Sequence, residues 1–205
     1  MADLILKNFT LLDLDELDLV FAWRNTERVR VMMSDTAPIT REDHLAFVSR
    51  LPQLSDRRYY LAYVGERPLG VIDLTDMTTD GSTCNPGLYT GEGAPMGTGL
   101  LLELTVFHGL FDRFGYATAW SMVKKTNADY SEALMRIFKM EKYNEGGDFF
   151  KHVFQREGWR ELGPGLMARI FRRFKVDRIV WRDPEGETVT YDNGHLIDCG
   201  SEMMT

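Results

Sequence analysis

The chain has 205 residues, 44% of them hydrophobic and 27% charged, which excludes a disordered, collagen-like or disulfide-scaffold protein and leaves enough apolar material for one packed core. Lys and Arg number 24 against 31 Asp and Glu, a net charge of −7, the wrong sign for a duplex-binding module, so no nucleic-acid partner is expected. The opening Met1-Ala2-Asp3-Leu4 lacks the basic stretch of a signal peptide, and no apolar run reaches the ~18–20 residues of a membrane span, which points to a cytoplasmic protein without a membrane partner. Cys84 and Cys199 form no CxxC pair and have His195 as their one nearby histidine, short of the four ligands of a structural zinc; both read as free thiols, with no metal.

Leu4-Ile5-Leu6 predicts a first strand, and Asp15 or Asp18 is placed to cap a helix through Leu19, Val20, Trp23 and Val29. Thr40 as N-cap, with Asp43 in the first turn, opens a second helix that Pro52 closes. Tyr59 to Val64 and Leu69 to Leu74, joined by Gly65-Glu66-Arg67-Pro68, read as an antiparallel hairpin, with a third strand at Gly87 to Thr90. A glycine-rich stretch from Gly91 to Gly99 then leads into an apolar helix from Leu100 to about Phe114, which Gly115 ends. Ala117 to Val123 predicts a strand parallel to the one before the loop, so the sheet is mixed. Tyr130 to Tyr143 and Asp148 to Glu157 read as helices; Ile170 to Phe174, Val176 to Arg182 and Thr188 to Tyr191 read as strands. No internal repeat or linker divides the chain, so residues 1–205 are expected to form one domain.

Amides at a helix start lack intrahelical partners and carry the positive end of the helix dipole, so the Met96-Gly97-Thr98-Gly99-Leu100 turn is a candidate anion site. It is neither a Walker loop nor a dinucleotide fingerprint, and the pyrophosphate of another cofactor is the candidate ligand.

Strand, two helices, antiparallel strands, Met96-Gly97-Thr98-Gly99, helix and a parallel strand ending in Val123-Lys124-Lys125-Thr126-Asn127 resemble the GNAT acetyltransferase superfamily. The resemblance implies an α/β fold with a mixed, splayed central sheet flanked by helices. It implies that Gly97 and Gly99 cradle the pyrophosphate of acetyl-CoA, that Leu88, Tyr89 and Thr90 border the gap holding its pantetheine arm, and that Asn127 holds that arm. Ala94 stands where the family has Arg or Gln. Trp23-Arg24-Asn25, Val29-Arg30, Met33, Glu42-Asp43-His44, Tyr59-Tyr60, Pro68 to Leu74 and Asn85 to Tyr89 are similar, more narrowly, to acetyltransferases acting on UDP-linked amino sugars, as in the pseudaminic-acid pathway.

The implied reaction is direct attack by the 4-amino group of a nucleotide-linked deoxysugar on the thioester, Asp73 accepting the amine proton and Tyr89 touching the sugar. Trp23 would stack on uracil, Arg24 and Arg30 grip the diphosphate, and Met33 and His44 complete the pocket. Core packing is the competing use of Trp23 and the methionines, pairing with Glu27 that of the two arginines, capping that of His44, and a solvated strand position that of Asp73. The family's general acid, a Tyr four residues before a Gly-Phe pair, has no counterpart if Gly158-Trp159 is that pair, since Phe154 stands four before it. Tyr143, ahead of Tyr130 and His152, is the substitute, carried by a helical insertion at 128–148; a C-terminal hairpin at 176–191 offers a homodimer edge. Acetylation of a protein N-terminus or an aminoglycoside, and a non-catalytic acyl-CoA-binding module, remain open.

Overall fold

The computed structural model describes residues 2–192 and 195–197; Cys199 lies outside them. Strand β1 (Ala2–Asn8) leads to helix α1 (Leu14–Asn25), which Asp13 caps. Its carboxylate accepts from the Glu16 amide and Glu16 reaches back to the Asp13 amide, a reciprocal box that takes the cap from Asp15 and Asp18. The chain then breaks at Thr26 before a single turn, α2 (Glu27–Arg30), so Val29 does not share a helix with Trp23. Thr40 caps α3 (Arg41–Arg50) as expected, its hydroxyl accepting from the Asp43 amide.

Strands β2 (Arg58–Val64) and β3 (Arg67–Thr75) form the hairpin around Gly65 at φ +60°, and β4 (Thr83–Thr90) begins four residues earlier than its apolar residues signalled. After the loop comes α4 (Thr98–His108), continued by a π-turn over Gly109–Arg113 and ended by Gly115 at φ +74°. Then follow β5 (Thr118–Lys124), α5 (Ala128–Phe138), β6 (Glu141–Tyr143), β7 (Phe149–Gln155), α6 (Arg156–Phe174), β8 (Val176–Asp183), β9 (Gly186–Asp192) and β10 (His195–Leu196).

Three expectations are overturned in the C-terminal third. Residues 149–155 form a strand, not a helix: His152 and Phe154 alternate inward at period two, and the run is aromatic and β-branched. The 128–148 segment is correspondingly a helix followed by a short strand. Ile170 to Phe174 is helical, because Trp159, Met167, Ile170 and Phe171 make one buried stripe that carries α6 through Pro164.

The ten strands run in the order β10-β9-β8-β1-β2-β3-β4-β5-β7-β6. Strand β8 of the C-terminal hairpin pairs parallel with β1 inside the sheet, which moves the edge outward to β10. One face carries Tyr60, Ala62, Ile72 and Leu74, packed with α4 and α6 into the larger core; the other carries Leu61 and Val71 under α1 and α3. No helix of the described residues is long and apolar enough to cross a membrane.

Candidate active site

The parallel strands β4 and β5 pair only at Thr83 with Thr118 and Cys84 with Ala119. Beyond these residues they part, so the backbone edge of β4 from Asn85 to Thr90, including Leu88 and Tyr89, faces an opening rather than a ladder partner. The loop from Gly91 to Gly97 closes the top of that opening. Gly97, at φ +95°, turns the chain into α4 and offers no side-chain cap; a Cβ on Gly99 would meet nothing within 4 Å. Among the described residues the amides of Gly99 and Leu100 make no hydrogen bond, while Thr98 is committed to the Pro95 carbonyl. Two arginines hold the loop from behind: Arg67 donates to the Gly93 carbonyl at 2.6 Å and Arg173, from α6, to the Met96 carbonyl at 2.8 Å. Unpaired amides, a dipole end and a parted sheet fit an elongated thioester carrying a diphosphate. Asn127, at the N-terminus of α5, leaves its side-chain amide without a partner among the described residues.

Asp73 sits on the α1/α3 face of β3, opposite Gly87 of β4. A Cβ on Gly87 would lie 2.7 Å from Asp73 Oδ1, so the glycine leaves the carboxyl room to lie flat over β4. No hydrogen bond to that carboxyl is made among the described residues, and burial pushes its pKa up to about 7. Tyr89 and Tyr59 share this environment: burial first, then the neighbouring Asp73, raises both phenols.

On the opposite face stands a second acid. Glu103 of α4 is 5% exposed and accepts a hydrogen bond from the Tyr130 hydroxyl at 2.6 Å. Burial pushes Glu103 up to about 7, and burial together with the Glu103 carboxylate lifts the Tyr130 phenol well above its ordinary value. Asp73 adds the smallest of the influences that raise the Tyr130 phenol. Tyr143 does not belong here. It lies on the edge strand β6, 45% exposed, bonded to Glu141 and separated from β4 by β5 and β7. His152 is buried against Ser131 at 3.0 Å. The helix that follows Asn127 is α5 rather than the segment before Gly158. It ends at Lys139 with φ +58°, the conformation a glycine usually supplies, and Met135, four residues earlier, carries no acidic proton.

No family model matches the sequence. Among curated proteins, the acetyltransferase PseH of Campylobacter jejuni (strain 81-176) is 32% identical over 148 residues, which cover 71% of this chain and 89% of that protein. The chain belongs to the PseH family of acetyltransferases. The crystal structure of C. jejuni N-acetyltransferase PseH in complex with acetyl coenzyme A superposes with a TM-score of 0.60 at 29% identity, over 73% of this chain and 96% of that one. The structure of apo FdhC, described as a nucleotide-linked sugar GNAT, matches in fold at 16% identity, TM-score 0.64, over 82% of this chain and 97% of that one.

In this member of the PseH family the Trp23-Arg24-Asn25 string builds a strap. Trp23 is 5% exposed and packs so closely on Gly91 that a Cβ there would sit 2.4 Å from its ring; it is a core residue, not an open stacking platform. Asn25 brackets Ile39 with bonds of 2.9 and 3.0 Å, and Arg24 and Arg30 donate to the carbonyls of Asp35 and Thr36. The strap bridges the mouth of the opening: Arg28 bonds the Thr90 carbonyl at the end of β4, and Lys124 at the end of β5 bonds the Val31 carbonyl at 2.8 Å. Arg24 keeps Nη1 buried without a partner among the described residues and lies near Tyr89, while Met33 is half-buried on the strap. His44 is 5% exposed, beside Phe21 between α1 and α3, and burial lowers its pKa; this corrects its assignment to the substrate pocket. A further hydrogen-bonded set, Asp112, His108 and Thr190, has the order of a hydrolytic relay, but His108 and Thr190 are closed to solvent and join α4 to β9.

Glu103 was missed in the sequence. Its signal was there: a lone acid in the apolar run Leu100-Leu101-Leu102-Glu103-Leu104.

Proposed function

We propose that this acetyltransferase transfers the acetyl group of acetyl-CoA to the amine of a nucleotide-linked amino sugar, most simply its 4-amino group, in the cytoplasm. The carrying observation is a parted β4–β5 pair with an unpartnered carboxyl, Asp73, on one face and a carboxylate-held phenol, Tyr130, on the other. The donor supplies an activated thioester. The unpaired amides of Gly99 and Leu100, in the Met96–Leu100 turn, bind its diphosphate; the free edge of β4 at Leu88, Tyr89 and Thr90, with the Asn127 amide, orients its arm.

The acceptor approaches on the Asp73 face. An amine attacks only in its neutral form, and Asp73 Oδ1 or Oδ2, with a pKa near 7, takes the proton at neutral pH. Tyr130 Oη, still protonated at that pH, donates to Glu103 at rest; when the C–S bond breaks the hydroxyl turns from Glu103 to give its proton to the thiolate, and the phenolate left behind is reprotonated from solvent. Arg24, Arg30, Met33 and Tyr89 border the acceptor, with Trp23 and His44 supporting them from the core. Supporting the sugar reading are the relatives: PseH by sequence, and FdhC in fold.

The test measures release of free CoA with UDP-linked amino sugars, aminoglycosides and N-terminal peptides as acceptors. Turnover confined to the sugar nucleotides is expected. Turnover with the drugs or peptides instead overturns the acceptor, and binding of acetyl-CoA without CoA release from any amine overturns catalysis.

A further inference from the structure

Burial of Trp23 removes the platform expected for a nucleobase, and three of the four tryptophans are now accounted for: Trp23 under Gly91, Trp159 bonded to Asp112 and Trp181 bonded to Thr190, all 5% exposed or less. The fourth, Trp120 of β5, is different. It is only half-buried, and its indole N–H has no partner among the described residues.

Cross-strand pairs share a face, so Asp73 with Gly87, Thr83 with Thr118, Trp120 with Val153, and Met122 with Lys151 all lie on one side of the sheet. Helices α1 and α3 cover that side over β2 and β3, whereas α5 and α6 pack on the opposite side of β5 and β7. The Asp73 side of β5 and β7 is therefore open: Met122 is 44% exposed, and a cavity of about 310 Å³ is lined by Thr83, Thr118, Trp120, Lys151 and Val153. Trp120 is level with Asn85, two residues short of Gly87, hence about 7 Å along the strand from the level of Asp73 and one parted strand across. The Lys151 ammonium stands 5.7 Å from the Trp120 ring centroid, and its carboxylate neighbour Glu145 is 3.6 Å away and 60% exposed, too loose a pair to hold it from a ligand.

We infer that this open face, with Trp120 stacking on the base and Lys151 meeting the phosphates, binds the nucleoside diphosphate part of the acceptor. The inference rests on the nucleotide-sugar reading above. An aromatic face beside a cation recognises a base and a diphosphate together, and in a chain of net charge −7 a local cation is needed to draw an anionic acceptor. With the base at Trp120, the sugar amine points back along the sheet toward Asp73, away from the donor loop on the opposite face.

The test is titration of the full chain, in the presence of CoA, with UDP and with uridine, for wild type, Trp120→Ala, Trp120→Phe and Lys151→Gln. Loss of base stacking is expected to weaken UDP about tenfold or more in Trp120→Ala, with Trp120→Phe retaining most of the affinity. Lys151→Gln is expected to weaken UDP severalfold and leave uridine unchanged. Wild-type binding of UDP that Trp120→Ala matches overturns the inference and leaves the nucleotide reading intact. Failure of wild type to bind UDP overturns both. A change of oligomeric state in Trp120→Ala without a change in UDP affinity also overturns it, assigning the face to a contact between copies. If Trp120→Ala fails to bind acetyl-CoA, and so to fold, Trp120→Phe and Lys151→Gln decide the matter.

Discussion

Asp73 of β3 and Glu103 of α4 are carboxyls on opposite faces of the sheet, Asp73 half-buried and Glu103 5% exposed, each raised to about 7 by loss of hydration, yet their surroundings differ. Asp73 lies over a glycine with no donor to it among the described residues; Glu103 is enclosed and already bonded to a phenol. An acid without a partner is poised to take a proton, and an acid that holds a hydroxyl is poised to aim one. On the proposed mechanism the same shift in pKa serves a base on one face and a positioning residue on the other.

The largest effect expected from breaking this pairing is on kcat in Asp73→Asn. Loss of the base should cost about 10²–10⁴-fold, and kcat/KM, which in wild type rises with pH through about 7 as Asp73 ionises, should lose that limb. Tyr130→Phe comes next, with kcat lowered about 10²-fold while acetyl-CoA binding is kept; Tyr143→Phe, its matched control on the edge strand, should stay within about twofold of wild type.

Glu103→Gln should cost about tenfold in kcat with little change in KM, because the amide oxygen still accepts from Tyr130. Its signature is in the pH profile. The carboxylate raises the phenol's pKa, so its removal should move the alkaline limb to lower pH.

The smallest effect separates function from stability. The folded pKa of Asp73 lies above the unfolded value of 3.8, so between pH 4 and 7 the native state holds a proton that the unfolded chain has lost, and stability falls as pH rises through that window. Asp73→Asn, uncharged at every pH, should therefore raise the melting temperature at pH 8 by a few degrees and do little at pH 4. A melting temperature unchanged at pH 8 would show that the carboxylate is hydrated in the native state and is not the desolvated base proposed above.

Much of the donor half was legible along the chain. The Thr40 cap, the hairpin around Gly65 and the Gly97-x-Gly99 turn before an apolar helix are local events, set by a hydroxyl at a helix start, a positive φ and a run of unpaired amides. Asp73 was legible because it ends a recognisable strand. Tyr130 over Tyr143 was not, because the choice depends on whether residues 141–143 continue a helix or pair with β7 at the sheet edge. The α6 helix was hidden by Pro164, whose local bias was overridden by a buried stripe that only exists against α4 and β8.

By itself the sequence determined the order of elements around the glycine loop, the residues able to carry acid and base chemistry, and the resemblance that named the reaction. Tertiary structure alone decided which of those residues meet. Trp23 is in the core because Gly91 leaves room for its ring, Glu103 is paired because α5 delivers Tyr130 to it, and Trp120 is half-exposed because the described helices α5 and α6 pack on the other side of β5 and β7. Propensity and capping act over a few residues and are written locally, whereas burial, pKa and access to a ligand are set by segments distant in the chain that become neighbours only when the sheet is assembled.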